Sequence, residues 1–306
     1  MGEEGLIVME SSPRRGALRS LSALAWRRPW LKGVGQIAPP VAAFLVVYVA
    51  ALVVLLISGF WRVDDFTSEV VRDWGFGNFS TLWHDPAYRT IALRTLGIAA
   101  AVTATCIVLA FPFALFLVRV ASARVRVILL VATVLPLWVS YLVRVYSWRL
   151  ILNPDGALNW VFRGLGLPGQ NLLYTNWAMW IVYSYIWFPF MILPVYAALE
   201  KIPGSYLEAS FDLGAKGFTT LRRVVLPLAI PGIAAGSIFT FSLTLGDYIA
   251  PGLVGGPASQ LIGNVIFSNV GVANNIPFAA AFATVPLLIM AVYLTLMKRL
   301  GAFESL

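Results

Sequence analysis

The chain has 306 residues, 59% of them hydrophobic and only 12% charged, where an average soluble domain carries about a quarter charged residues, so water is excluded as its main solvent. A mean hydropathy of +0.82, with several uncharged apolar runs of the roughly 20 residues that a bilayer crossing needs, reads as an integral membrane protein. The net charge of +8 does not signal nucleic acid, because the basic residues lie mostly beside hydrophobic spans, and the single cysteine, Cys106, leaves no disulfide or thiolate cluster to build.

Residues 1–36 carry Arg14, Arg15, Arg19, Arg27, Arg28 and Lys32 among Ser, Gly and Pro, and read as a basic cytoplasmic tail. The first apolar run, 37–59, starts too far along and is too long for a cleaved secretory signal, whose apolar region spans about 7 to 15 residues. It is expected to stay as a membrane helix. Residues 60–90 form an outer loop, and five further spans follow at about 91–118, 127–150, 176–199, 224–246 and 278–297, with a short tail at 300–306.

Six spans put both ends on one side of the membrane. With the N-terminus inside, 15 of the 22 basic residues fall in cytoplasmic segments, which is the positive-inside pattern. Asp64, Asp65, Glu69, Asp73, Asp85 and Asp155 fall in outer loops. Prolines interrupt the spans at Pro112, Pro136, Pro189, Pro194, Pro227, Pro231 and Pro286. Each removes a backbone donor and distorts its helix, which suits a pathway but is also ordinary tolerance of proline in membrane helices.

Between spans four and five, the segment 200–232 is too polar to enter the membrane. Pro203 and Gly204 end the preceding helix, YLEASFDLGA can form a short helix with Leu207, Phe211 and Ala215 on one side, and a second short helix from about Phe218 leads into span five. The two would meet at Gly214 to Gly217 in an elbow. Glu208 and Asp212 lie one turn apart and repel each other, with Lys216, Arg222 or Arg223 as candidate partners.

This segment resembles the transmembrane subunits of binding-protein-dependent ABC importers, whose signature is Glu-Ala-Ala, three residues, Gly, nine residues, Ile, one residue, Leu-Pro. Glu208, Ala209, Ser210, Gly214, Val224, Leu226 and Pro227 stand at those spacings, with Ser for Ala and Val for Ile. The resemblance implies an all-α integral membrane protein of type I ABC importer permease architecture in a bacterial cell membrane. It also implies that the elbow is a coupling helix docking on a separate ATPase. The sequence has no G-x-x-x-x-G-K-[ST] loop to cradle phosphates, so ATP and Mg are expected to be used by the partner ATPase, with no cofactor on this chain. The implied partners are a second homologous permease, two ATPase copies, an extracytoplasmic substrate-binding protein and the lipid bilayer.

PLWVSYLVRVYSW from Pro136, NFSTLWHDPAY from Asn78 and GDYIAPGLVGGP from Gly246 resemble the polyamine branch of that family, which carries spermidine and putrescine. A polycation crossing an apolar channel should meet carboxylates and aromatic faces. Asp247 is the acidic residue near a span's outer end, with Tyr248 beside it; it either contacts a cation, caps a helix or pairs with Arg144. Arg144 either snorkels to the headgroups or faces the bundle as a gate. Trp138, Tyr141, Tyr185 and Trp187 are further candidates for the route. His84 is the only histidine, so no Ser-His-Asp set or metal cluster can be assembled, and no catalytic or metal residues are expected. An importer of another small solute, or an ion-coupled secondary transporter, remains the alternative.

Overall fold

The computed structural model describes residues 29–64 and 66–302; the basic tail up to residue 28 and the last four residues of the C-terminal tail lie outside them. By its contacts the chain divides into residues 1–55 and 56–306. In the first unit, helix α1 (Pro29–Phe44) passes through one wider π turn at Leu45–Val49 into α2 (Ala50–Ser58). The helix thus begins earlier than its apolar run at 37, because Pro29 sits at the first helical position, where a missing N–H costs nothing.

The second unit continues past the end of α2 into a small antiparallel hairpin, β1 (Arg62–Val63) paired with β2 (Val70–Val71), with Arg62 opposite Val71. The Asn78 side chain then donates to the Gly59 and Trp61 carbonyls at 3.0 and 2.8 Å, pinning the start of α3 (Gly77–His84) to the chain that leaves α2. The segment expected as an outer loop is therefore structured by one side-chain amide and a pair of two-residue strands.

Helix α4 (Pro86–Arg119) starts before the predicted 91 because Asp85 caps it, its carboxylate accepting from the Ala87 N–H at 2.8 Å, and Pro86 follows at the first position. At its far end, Arg126 donates to the Leu117 and Val118 carbonyls at 2.8 and 3.2 Å. A guanidinium there satisfies carbonyls that the helix leaves unpaired and meets the negative end of its dipole.

The third span differs most from expectation. Residues 127–150 do not form one continuous helix: α5 (Ala123–Val134) runs into a tight 3₁₀ turn at Leu135–Trp138, and α6 (Tyr141–Ile151) leaves at 99°. Pro136 supplies no N–H, and Val139 and Ser140 take extended backbone angles, so the helical ladder cannot carry through. Among the described residues, five helices are long and apolar enough to cross a membrane, and six if this bent pair counts as one span.

After α7 (Ala157–Gly164), α8 (Asn176–Glu200) is capped by Thr175, whose hydroxyl accepts from the Ala178 N–H at 3.2 Å. Short helices α9 (Gly204–Asp212) and α10 (Gly217–Thr220) lead through a π turn, Leu221–Val225, into α11 (Leu226–Gly246). A compact loop, α12 (Ile262–Gly271) and α13 (Ile276–Arg299) complete the described chain.

The core forms where α8 packs between α4 and α11. Apolar side chains gain nothing by leaving lipid for protein, so close contact must come from shape. Gly232 and Gly236 on α11 provide it. A Cβ at Gly232 would run into the Ala198 Cβ and the Pro194 carbonyl, and one at Gly236 would lie 2.9 Å from the Met191 carbonyl. The buried Thr103 and Thr240 hydroxyls turn back on their own helices, to Ala99 at 2.7 Å and to Gly236 at 3.0 Å, and need no partner from water. Cys106 is buried among these helices as a packing residue.

Candidate functional site

Two groups of residues stand out, one inside the bundle and one at the α9–α10 elbow. The inner group centres on Asp247, the residue that follows α11. Its side chain accepts from the Ile249 and Ala250 backbone N–H groups at 3.2 and 3.1 Å, so it caps the turn that opens the next loop. Oδ2 also receives the Tyr141 hydroxyl at 2.6 Å and the Tyr183 hydroxyl at 2.9 Å.

A carboxylate has about four lone-pair sites. Oδ2 is filled by two phenols and the Ala250 N–H, while Oδ1 receives only the Ile249 N–H. Further acceptor capacity therefore lies on Oδ1.

Aromatic rings stack beside this carboxylate. Trp187 lies nearly parallel to Tyr141, with centroids 5.7 Å apart, and to Tyr183 at 6.3 Å. Arg144, one turn beyond Tyr141 on α6, holds its guanidinium 5.7 Å from the Tyr141 ring centroid. The Trp187 Nε1 donor is buried without a partner, as are Nε and Nη1 of Arg144.

Asp247, Tyr141, Arg144 and Trp187 are thus gathered in one place, but Arg144 makes no ion pair with Asp247 among the described residues. The other candidates lie elsewhere. Trp138 is 88% exposed at the bend. Tyr185 turns to the opposite side of α8, edge-on to Trp148 at 5.4 Å. Tyr248 stacks on Phe267 at 4.6 Å. The fully buried Tyr183 escaped the sequence-based selection, although its spacing of four from Trp187 puts both on one helical face.

The loop after Asp247 is packed. Ala250, Val254 and Leu261 are completely buried, and Gly256 adopts φ +71° against the Tyr174 ring. Prolines and glycines here fold an irregular backbone inward, which membrane proteins tolerate where protein covers it.

At the elbow, Gly214 has φ +77°, the left-handed conformation that ends α9. Its N–H reaches the Phe211 carbonyl at 2.8 Å, and the Ala215 N–H reaches Ser210 at 3.1 Å. Ser210 and Thr220 share a 2.9 Å hydrogen bond between hydroxyls, which fastens α9 to α10. Arg119 at the end of α4 donates to the Ile202 carbonyl at 3.0 Å, holding the base of the elbow.

Leu207 turns inward onto the core while Phe211 stays half exposed, so the expected stripe of Leu207, Phe211 and Ala215 is divided between two environments. Glu208 and Ala209 face outward with Leu213 (89% exposed) and Phe218 (73%). Neither Glu208 nor Asp212 pairs with Lys216, Arg222 or Arg223 among the described residues. Leu226 and Pro227 form the first turn of α11, both open to the surface.

A family model described as binding-protein-dependent transport system inner membrane component matches residues 106–302. The inner membrane ABC transporter permease protein YdcU of Escherichia coli (strain K12) is 46% identical over 308 residues, covering 96% of this chain and 98% of its own length. The spermidine/putrescine transport system permease protein PotB of the same strain is 33% identical over 259 residues, covering 83% of this chain and 92% of its own. In fold, the chain is similar to a chain in the crystal structure of a bacterial alginate ABC transporter in complex with an alginate pentasaccharide-bound periplasmic protein. The TM-score is 0.72 at 19% identity, with 91% of this chain and 96% of that chain covered.

Proposed function

The chain belongs to the binding-protein-dependent transport system inner membrane components, and from that membership we propose that it passes polyamines of the spermidine and putrescine class through an ATP-driven importer. It is a multi-pass inner-membrane permease subunit of an ABC importer. In that assembly it pairs with a second, homologous permease, receives substrate from an extracytoplasmic binding protein, and is driven by two copies of an ATPase that bind ATP and Mg. The chain has no ATPase site of its own. Both termini face the cytoplasm, which places the α9–α10 elbow on the ATPase side.

The observation that carries the coupling role is the outward face of that elbow. Glu208, Ala209, Leu213 and Phe218 stand free on and between two short helices that Gly214 and the Ser210–Thr220 bond hold in a fixed bend. A rigid, partly apolar projection is suited to carry a push from a partner into α11, which begins only six residues after Thr220. The substrate class is supported by the PotB relatives and by the Asp247 cluster. Oδ1 retains acceptor capacity on a carboxylate whose other oxygen is bonded to Tyr141, and Trp187 stacks on the Tyr141 ring, a combination that suits an ammonium group.

The test is ATP-driven uptake by the complete assembly in proteoliposomes, with labelled spermidine and an excess of putrescine or of a neutral solute as competitor. Competition by putrescine alone is expected. Uptake of a neutral or anionic solute, with spermidine ignored, would remove the polyamine assignment and leave the importer assignment standing.

A further inference from the structure

Two clefts adjoin on the side of α8 that carries Tyr185, opposite Tyr183 and Trp187, and the smaller one reaches the Asp247 cluster at Arg144. The larger, of about 640 Å³, is walled by Leu109, Phe113, Ala132, Ile181 and Phe188. Three of its hydroxyls are engaged: Thr133 donates to Leu129 at 2.8 Å, Ser184 to Trp180 at 2.7 Å, and Thr105 receives the Trp180 indole N–H at 3.0 Å. Such a space has hydrocarbon surface to offer a guest and few free polar groups.

The smaller cleft, of about 410 Å³, shares Pro136, Trp148 and Tyr185 with the first and is bounded by Arg144. Ser147 in its wall donates to the Val143 carbonyl at 2.8 Å. Arg144 is different, because its Nε and Nη1 are buried and find no acceptor. Unpaired guanidinium donors out of reach of water are costly, more so than neutral ones. The carboxylate of the neighbouring cluster does not meet them, since Asp247 is held by two phenols and two backbone N–H groups.

An unpaired cation at the mouth of an apolar cleft, in a protein surrounded by lipid, is complementary to an amphiphile with an anionic head. We propose that the adjoining clefts bind an anionic phospholipid, with its phosphate on Arg144 and one acyl chain between α4, α5 and α8. A phosphate in the smaller cleft meets the guanidinium where Arg144 lines it, and the acyl chain fills a space that is mostly apolar. The lipid site is read by retained phospholipid and not by uptake, so it stands whether or not polyamines are the cargo. It also gives Arg144 a function that neither snorkelling nor an ion pair with Asp247 supplies.

The full-length chain is purified, placed in phosphatidylcholine nanodiscs doped with phosphatidylglycerol, and its retained lipids are measured by native mass spectrometry after release into mild detergent. Selective retention of phosphatidylglycerol is expected, undiminished by excess glycerol 3-phosphate, which has the head chemistry without the tails. Arg144→Gln should weaken that retention about tenfold, the value of one charge-assisted hydrogen-bonded pair, and Arg144→Lys should restore part of it. Ala132→Trp, which fills the apolar cleft and leaves Arg144 in place, should weaken it as well. Arg149→Gln, a loss of the same charge on the same helix, should not, provided each variant elutes as a single species. Equal phosphatidylglycerol retention by Arg144→Gln and the unaltered chain would overturn the proposal. So would displacement of phosphatidylglycerol by glycerol 3-phosphate, or loss of retention when the second permease is co-purified, which would mean that protein covers Arg144.

Discussion

Tyr183 and Asp247 are joined by a 2.9 Å hydrogen bond from the phenol to Oδ2, although 64 residues separate them in sequence. That bond ties the middle of α8 to the loop leaving α11, and Tyr141 brings α6 to the same oxygen at 2.6 Å. Three elements, one of them the second half of the bent third span, therefore depend on one carboxylate.

Removing that carboxylate alone should be costly. Asp247→Leu leaves the buried Tyr183 hydroxyl without an acceptor, a loss of about 1 to 3 kcal/mol, and lowers the thermal midpoint in detergent. Adding Tyr183→Phe removes the orphaned group and should recover part of the loss. Purely additive destabilisation in the double variant would show that the pair is not coupled.

Transport should respond to the charge of Asp247 separately from its hydrogen bonds. Asp247→Asn keeps an acceptor oxygen but removes the negative charge that an ammonium would meet. Spermidine uptake by the assembly should fall about tenfold or more, with the protein still folded by its elution profile. Unchanged uptake would confine Asp247 to a structural role.

The bend at Gly214 requires a backbone conformation and not extra space, since an added Cβ would meet nothing within 4 Å. Gly214→Val should cost about 1 to 2 kcal/mol locally through its left-handed φ and reduce co-purification of the ATPase. Gly214→Asn, whose side chain tolerates that conformation, should retain most of it. Equal loss in both variants would mean that something other than φ makes glycine necessary.

The α8–α11 contact makes the opposite prediction, because there space decides. Gly232→Ala pushes a methyl group into Ala198 and Pro194, whereas Gly97→Ala on α4 meets open surroundings. The first should reduce the yield of monodisperse protein and the second should leave it unchanged. Comparable yields would show that α11 can shift outward at little cost.

Much of this was readable from the residues because it is local. The Glu208-Ala209-Ser210-Gly214 spacing located the elbow, the apolar runs located the helices, and Asp85-Pro86 is a helix start that the charges of Arg89 and Arg94 disguised by shortening the apolar run. The 99° turn was not readable, since hydropathy reports where a chain is apolar and not in which direction it travels; Pro136 marked the place but not the angle. Tyr183 lay within reach, because its spacing of four from Trp187 defines a shared face that Tyr185 does not have. The Ser210–Thr220 and Tyr183–Asp247 bonds join residues distant in sequence, and no local pattern announces them.

The elbow's role in coupling is tested most directly by ATP-dependent spermidine uptake in proteoliposomes holding the complete assembly, with the unaltered chain compared against Glu208→Lys and Phe218→Ser. Uptake should require ATP with the unaltered chain. Both variants should lose it together with ATPase docking, while the permease stays in the membrane as a folded protein. Tightly coupled uptake in both variants, or uptake by this chain alone driven by an ion gradient, would contradict the account.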